Sequence, residues 1–294
     1  MNREKGILLT VFAASSFGFI PLFAKIAFVN GLNAYTFTLF RSLFATIELF
    51  TLLKIRKIDY TLEKEQYITL FKVSFIGYSL TMLTLTLSYN YMSTGLATTI
   101  HFIYPVAVMV GSTFFFNEKI NKRKIFSLVL SFTGMYFLAS FNSLGSTSII
   151  GILLSLFSGF FYAYYILTVA HGNIKEINPF VLIFYVSLFN SYILFAISIF
   201  LRKLETNYTF KGIVSTVLVA LIANLVGMVS FKAGIKSIGP STAAILSTFE
   251  PITSLILGML VFREVLSWYH IVGCILIITS ATIVSFREKD LKIL

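Results

Sequence analysis

Glu250 stands in the run ILSTFEPITSLIL (residues 245–257) and is the one charged residue between Lys236 and Arg263. An ionised carboxylate in so apolar a stretch costs on the order of several kcal/mol unless it is paired or hydrated. Three kinds of chemistry suit it. It can bind a cationic group, carry a proton that comes and goes with water access, or hold two helices together as a neutral hydrogen-bonded acid. Pro251 follows directly. Proline has no N–H for the carbonyl four residues back, so a kink and a free acceptor at Ser247 are expected beside the carboxyl. The same device recurs in IHFIYPVAVMV (residues 100–110), where Pro105 frees the carbonyl of His101 and Tyr104 takes the place of the glutamate. His101 suits a substrate or proton ligand, and equally an interhelical hydrogen bond.

Other polar side chains lie well inside apolar runs. Tyr162 and Tyr165 are three residues apart and share a helical face; Tyr78, Asn190 and Asn224 each interrupt a run of their own. All five can line a cavity, although helix–helix contact is the commoner fate of isolated polar residues in a membrane. Arg41 and Glu48 share one segment, about 10.5 Å apart along a helix axis. That is too far for a direct ion pair in a straight helix, so each is assigned a structural role with a partner elsewhere or a snorkelling conformation. Glu118 and Glu264 each end one apolar run just before the next, where a carboxylate suits the N-terminal cap and dipole of the following helix.

These residues need elements able to hold them in lipid. The chain is 57% hydrophobic and 12% charged, against about 25% charged for a soluble domain. Ten runs are long enough to span a bilayer at about 20 residues each: 6–28, 34–53, 68–90, 94–116, 125–141, 150–170, 179–201, 212–231, 241–262 and 267–286. The N-terminus begins like a signal peptide. Its apolar part, about 23 residues, exceeds the usual signal core of roughly 7–15 and is taken as an uncleaved first span. Basic residues cluster in short gaps such as KIRK (54–57) and NEKINKRK (117–124). With the N-terminus inside, sixteen of the 23 Lys and Arg fall on the inner side, five on the outer side, and Arg41 and Lys72 within spans. That asymmetry places both termini in the cytoplasm and accounts for the net charge of +11 without a nucleic-acid partner.

The spans repeat. GLATTIHFIYPVAVMVGSTFFFNE (95–118) aligns with STAAILSTFEPITSLILGMLVFRE (241–264) at an offset of 146, matching Pro105 with Pro251 and Glu118 with Glu264. Near the start of each half, Ala14-xxx-Gly18 faces Gly159-xxx-Ala163, small residues one turn apart that permit close helix approach. Five spans per copy is an odd number, so the second copy enters the membrane inverted. The fold class is therefore an all-α integral membrane protein of ten transmembrane helices, as two inverted five-helix repeats (residues 1–145 and 146–294) around a central cavity. Inverted repeats rocking about a shared site are a transporter architecture.

SSFGF, FTLFRSLFA, IYPVAVMVGSTFFFNEKI and the segment from STFEPITSL to ITSATIV resemble the EamA family of the drug/metabolite transporter superfamily, over nearly the whole chain and in two copies. The resemblance implies ten helices, a bacterial cytoplasmic-membrane location and transport of small metabolites, often amino-acid export. It also implies a structural role for an arginine at the place of Arg41. Few deep cations argue against polyphosphate cargo, which leaves neutral, zwitterionic or cationic solutes, with protons as a second partner through Glu250. Importers or exchangers of nucleobases, vitamins or cofactors, and a passive channel, are the alternatives. HExxH, GxSxG and Walker motifs are absent, no aspartate lies in a span, and Cys274 is the lone cysteine. No enzyme, no catalytic residue, no metal and no cofactor is expected; the oligomer is a monomer or homodimer.

Overall fold

The computed structural model describes residues 2–139, 148–262 and 267–286, so Glu264 lies outside the described residues. Ten helices succeed one another in it: α1 (Arg3–Val29), α2 (Ala34–Ile55), α3 (Lys64–Ser88), α4 (Thr94–Phe116), α5 (Lys122–Ala139), α6 (Ile149–His171), α7 (Pro179–Phe200), α8 (Phe210–Ile238), α9 (Pro240–Val261) and α10 (Trp268–Ser285). Among the described residues, nine are long and apolar enough to cross a membrane. The tenth, α5, carries Lys122, Arg123 and Lys124 in its first turn, which shortens its apolar part. Large apolar side chains such as Leu8, Phe114, Phe115, Phe210 and Leu260 are exposed, as a protein solvated by lipid requires.

The two halves build alike. Asn33 and Asn178 cap α2 and α7, their Oδ1 atoms accepting from Thr36 N at 2.9 Å and Phe180 N at 3.0 Å. α3 and α8 each widen into a π-helical stretch at matching depth, Val73–Ser79 and Ala220–Met228. Packing obeys the same exchange. α1 lies on α8 as α6 lies on α3, α1 on α9 as α6 on α4, while α2–α7, α4–α9 and α5–α10 pair across the centre. α5 and α10 touch through glycines: a Cβ on Gly273 would stand 2.7 Å from the Gly134 carbonyl oxygen, and one on Gly134 2.8 Å from that of Gly273. Main chain cannot retreat like a side chain. Gly273→Leu should therefore cost about 1–3 kcal/mol, seen as a lowered unfolding midpoint in detergent; an unchanged midpoint would show that the two helices are free to part.

The eighth helix is longer than its hydropathy, and this moves Lys232. The apolar run ends at 231 and leaves Lys232 among the loop charges, but α8 continues to Ile238 and buries Lys232 to 1% exposure. Its ammonium donates to the carbonyls of Val169 at 2.9 Å and Lys175 at 2.8 Å. The end of α6 has carbonyls without intrahelical partners and a negative dipole end, so the amine exchanges water for acceptors that need a donor.

Glu118 ties three helices on the face that holds the N-terminus. Its Oε1 pairs with Lys124 Nζ at 2.5 Å and its Oε2 accepts from Ser241 Oγ at 2.7 Å, joining the end of α4 to the starts of α5 and α9. Burial pushes the Glu118 pKa up, but the hydrogen bonds from Lys124 and Ser241 and the Lys124 charge outweigh it and hold the carboxyl below its ordinary value. A carboxyl depressed by folding stabilises the fold above its unfolded pKa, about 4.3, and loses that contribution as pH falls through the folded value. Wild type should thus lose stability more steeply than Glu118→Gln below about pH 4.3, and parallel melting profiles from pH 3 to 7 would count against the link.

Candidate transport site

Both proline positions end one helical piece and begin another. α4 runs as Thr94–His101, turns through Phe102 and Ile103, and restarts at Tyr104. α9 runs as Pro240–Leu246, tightens into a 3-10 turn over Ser247–Phe249, and restarts at Glu250. Pro105 and Pro251 are each the second residue of the new piece, where a missing N–H costs nothing because first-turn N–H groups have no intrahelical partner. α1 is also interrupted, at Gly18 between Phe17 and Phe19.

The breaks aim four side chains at the middle of the bundle. Ser158 Oγ donates to the Ser155 carbonyl at 2.6 Å, which uses its one proton. His101 Nδ1 therefore donates to Ser158 Oγ at 2.8 Å, leaving Nε2 with a lone pair. By the same logic Ser247 Oγ donates to Ala244 O at 2.8 Å, and Tyr104 Oη donates to Ser247 Oγ, linking the two halves. α6 can approach the α4 break because residue 159 is glycine: a Cβ there would lie 2.6 Å from the His101 carbonyl oxygen.

Aromatic rings wall this region. Tyr104 meets Tyr162 edge-on at 4.8 Å, Tyr162 stacks parallel to Tyr165 at 5.8 Å, and Tyr165 leans on Tyr78 at 5.6 Å. His101 lies 5.2 Å from Tyr104 and 5.6 Å from Tyr162. All five are buried. Across from them Arg41, 5% exposed, donates through Nε to Asn224 Oδ1 at 2.8 Å. Asn224 Nδ2 and Tyr78 Oη are sealed from solvent without a hydrogen-bond partner. They sit beside each other, at equivalent positions in the two π-helical stretches.

Glu250 differs from its surroundings. Ser247 and Thr248 are fully buried, whereas Glu250 retains accessible surface. Among the described residues its carboxylate has no cation within 4.0 Å and no hydrogen bond. It lies within electrostatic reach of Arg41, Tyr89, Tyr104 and Tyr162. Arg41 is likewise unpaired beyond its Nε bond, and its Nη nitrogens are not among the sealed atoms. Two opposite charges thus lie within electrostatic reach of each other without forming an ion pair among the described residues.

His101, Tyr104, Tyr162, Tyr165, Tyr78 and Ser247 form one connected cluster, with Asn224 beside Tyr78 and Glu250 within electrostatic reach of Tyr104 and Tyr162. Asn190 does not join them directly: Nδ2 donates to Ser42 Oγ at 2.5 Å and contacts Met82 Sδ at 3.3 Å, tying α7 to α2 and α3. Glu48 is half-buried in a groove of about 410 Å³ with Ile47, Leu52, Leu221 and Leu225, and its Oε2 has no partner. Arg41, assigned a structural role from sequence, braces α2 against α8 through Asn224 and also lies within electrostatic reach of Glu250. Ser158 and Tyr89 were not singled out from sequence. Ser158 is one of two serines in α6, and Tyr89 lies at the edge of its run, so neither carries a local signal.

Ten helices in two exchanged halves, with broken helices around an interior polar cluster, define a multi-pass membrane protein. The EamA-like transporter family matches residues 4–140 and again 149–286, and the chain belongs to that family. An uncharacterized transporter of Synechocystis sp. is 24% identical over 70% of this chain and 63% of its own length. The uncharacterized transporter YvbV of Bacillus subtilis is 24% identical over 70% and 68%, and one of Archaeoglobus fulgidus 27% over 73% and 66%. The chain thus spans a little under two thirds of the Synechocystis protein. A protein crystal structure superposes with a TM-score of 0.81 at 12% identity, covering 95% of this chain and 96% of that one; the likeness is one of fold.

Proposed function

We propose that the protein is a secondary transporter of the bacterial cytoplasmic membrane that exports a small zwitterion of the amino-acid class by alternating access, with both termini in the cytoplasm. One observation carries the substrate class. Glu250 and Arg41 lie within electrostatic reach of each other yet form no ion pair among the described residues. Water-poor surroundings strengthen attraction between such charges, so a gap between them favours an occupant with both signs. An ammonium would sit at Glu250, among aromatic faces that attract cations, and a carboxylate at the Arg41 guanidinium. Export follows the family resemblance. Proton coupling through Glu250 follows from its place: emptied of substrate, the carboxyl meets whichever side the space opens to and can take a proton there.

The test is transport by purified protein in proteoliposomes with a panel of radiolabelled amino acids, their decarboxylated amines, nucleobases and organic anions, with and without a pH gradient. Zwitterion transport exceeding that of the amines and anions by roughly tenfold or more supports the assignment, since one lost charge contact at a buried pair is worth about 1.4 kcal/mol or more. Transport confined to nucleobases or anions refutes the substrate class, and no solute movement under any gradient refutes transport itself.

A further inference from the structure

On the face that holds the N-terminus, α1, α5 and α9 begin side by side at Arg3, Lys122 and Pro240. A cavity of about 290 Å³ lies between them and the end of α10, lined by Arg3, Asn121, Arg123, Lys124 and Thr242 among others and, among the described residues, by no acidic one. Lys124 is already paired with Glu118. The two arginines are not paired with any carboxylate among the described residues. Arg3 Nη2 donates to the Val284 and Ser285 carbonyls at 3.3 and 3.5 Å. Two guanidiniums that line one cavity without a carboxylate partner among the described residues favour an anion in that space.

A second cavity adjoins it. This slot of about 730 Å³ runs between α1, α9 and α10, lined by Ile7, Val11, Phe249, Ile278 and Ala281, and it shares Arg3 and Phe286 with the basic cavity. Glu4 stands at its mouth. From Ser285 to Ile278 the slot descends roughly 10 Å along α10, within the half-thickness of about 15 Å of a bilayer core. A free phosphate or nucleotide would leave such a slot empty, whereas a molecule with an anionic head and an apolar tail uses both parts.

We propose that these joined cavities form a binding site for one anionic phospholipid, its phosphate held by Arg3 and Arg123 and one acyl chain lying between α1 and α10. Neither Arg41 nor Glu250 lines these cavities, and the proposal does not depend on what is transported. It would hold the start of α1 to the start of α5, so the lipid would join helices of one half to α9 and α10 of the other.

Native mass spectrometry of the full chain released from mixed phosphatidylglycerol and phosphatidylcholine nanodiscs tests this directly. Wild type should retain one phosphatidylglycerol in preference to phosphatidylcholine by about fivefold or more, the effect expected per basic residue at a membrane surface. Arg3→Gln with Arg123→Gln should abolish the preference. Arg123→Lys alone should keep part of it and reports on folding. Ala281→Phe, which fills the slot and keeps every charge, should lose the retained lipid. Two results would overturn the proposal: equal retention of both lipids by wild type, or retention of phosphatidylglycerol by the double variant. Displacement of the lipid by millimolar glycerol phosphate as well in Ala281→Phe as in wild type would assign the cavity to a soluble phosphate instead.

Discussion

Glu250→Gln should lower zwitterion transport driven by a pH gradient by roughly 30-fold or more and leave the protein folded. Truncating one member of a buried charge pair costs about 2 kcal/mol or more, and glutamine keeps the shape but neither the charge nor the exchangeable proton. Stability should hold because the carboxylate makes no hydrogen bond and no ion pair among the described residues, so nothing in the fold loses a partner. The variant separates three roles. A carboxyl that only binds substrate would leave a pH dependence in the residual transport. A carboxyl that carries the proton would leave residual exchange that no longer responds to the gradient. A carboxyl that only braces helices would lower the melting temperature, and its loss would not distinguish zwitterions from amines. Wild-type rates with unchanged pH dependence would remove Glu250 from the mechanism.

Sequence led to this residue for a sound reason, and missed others for reasons equally physical. An isolated charge between Lys236 and Arg263 stands out because every neighbour is uncharged. The helix breaks at Pro105 and Pro251 were legible because proline acts on the backbone wherever the chain goes. The repeat was legible through those prolines and the terminal glutamates. What could not be read is pairing between distant segments. Tyr104 donates to Ser247, 143 residues away, and Asn190 to Ser42 across 148 residues; Ser42 does not differ locally from serines elsewhere, and Ser247 stood out for its carbonyl rather than its hydroxyl. Periodicity also cannot tell where a helix stops when its last turns carry charge, so Lys232 was placed in a loop although α8 buries it against carbonyls of the loop and helix before α7. The π-helical stretches leave no mark in hydropathy at all. They appear only once Tyr78 and Asn224 are seen beside each other in matching parts of α3 and α8.

Arg41 admits two roles, a brace between helices and a ligand for a substrate carboxylate, and its replacement should discriminate between substrates. A buried guanidinium that only braces α2 against α8 through Asn224 would lose the same stability, and the same transport, whatever the cargo. A guanidinium that reads a carboxylate would not. Arg41→Gln should raise the KM for a zwitterion by about 30-fold, the 2 kcal/mol or more of a buried charge contact, and leave the KM for the corresponding decarboxylated amine within about twofold. Arg41→Lys should recover only part of the zwitterion affinity, because an ammonium lacks both the fork that meets two carboxylate oxygens and the Nε–H now given to Asn224. The Glu250→Gln variant provides the mirror-image control, with the amine losing at least as much as the zwitterion. Parallel loss of both substrates in Arg41→Gln, together with a lowered melting temperature, would return Arg41 to the scaffold. The space beside Glu250 would then be fitted for a cation alone, since Arg41 is the cation within electrostatic reach of that carboxylate.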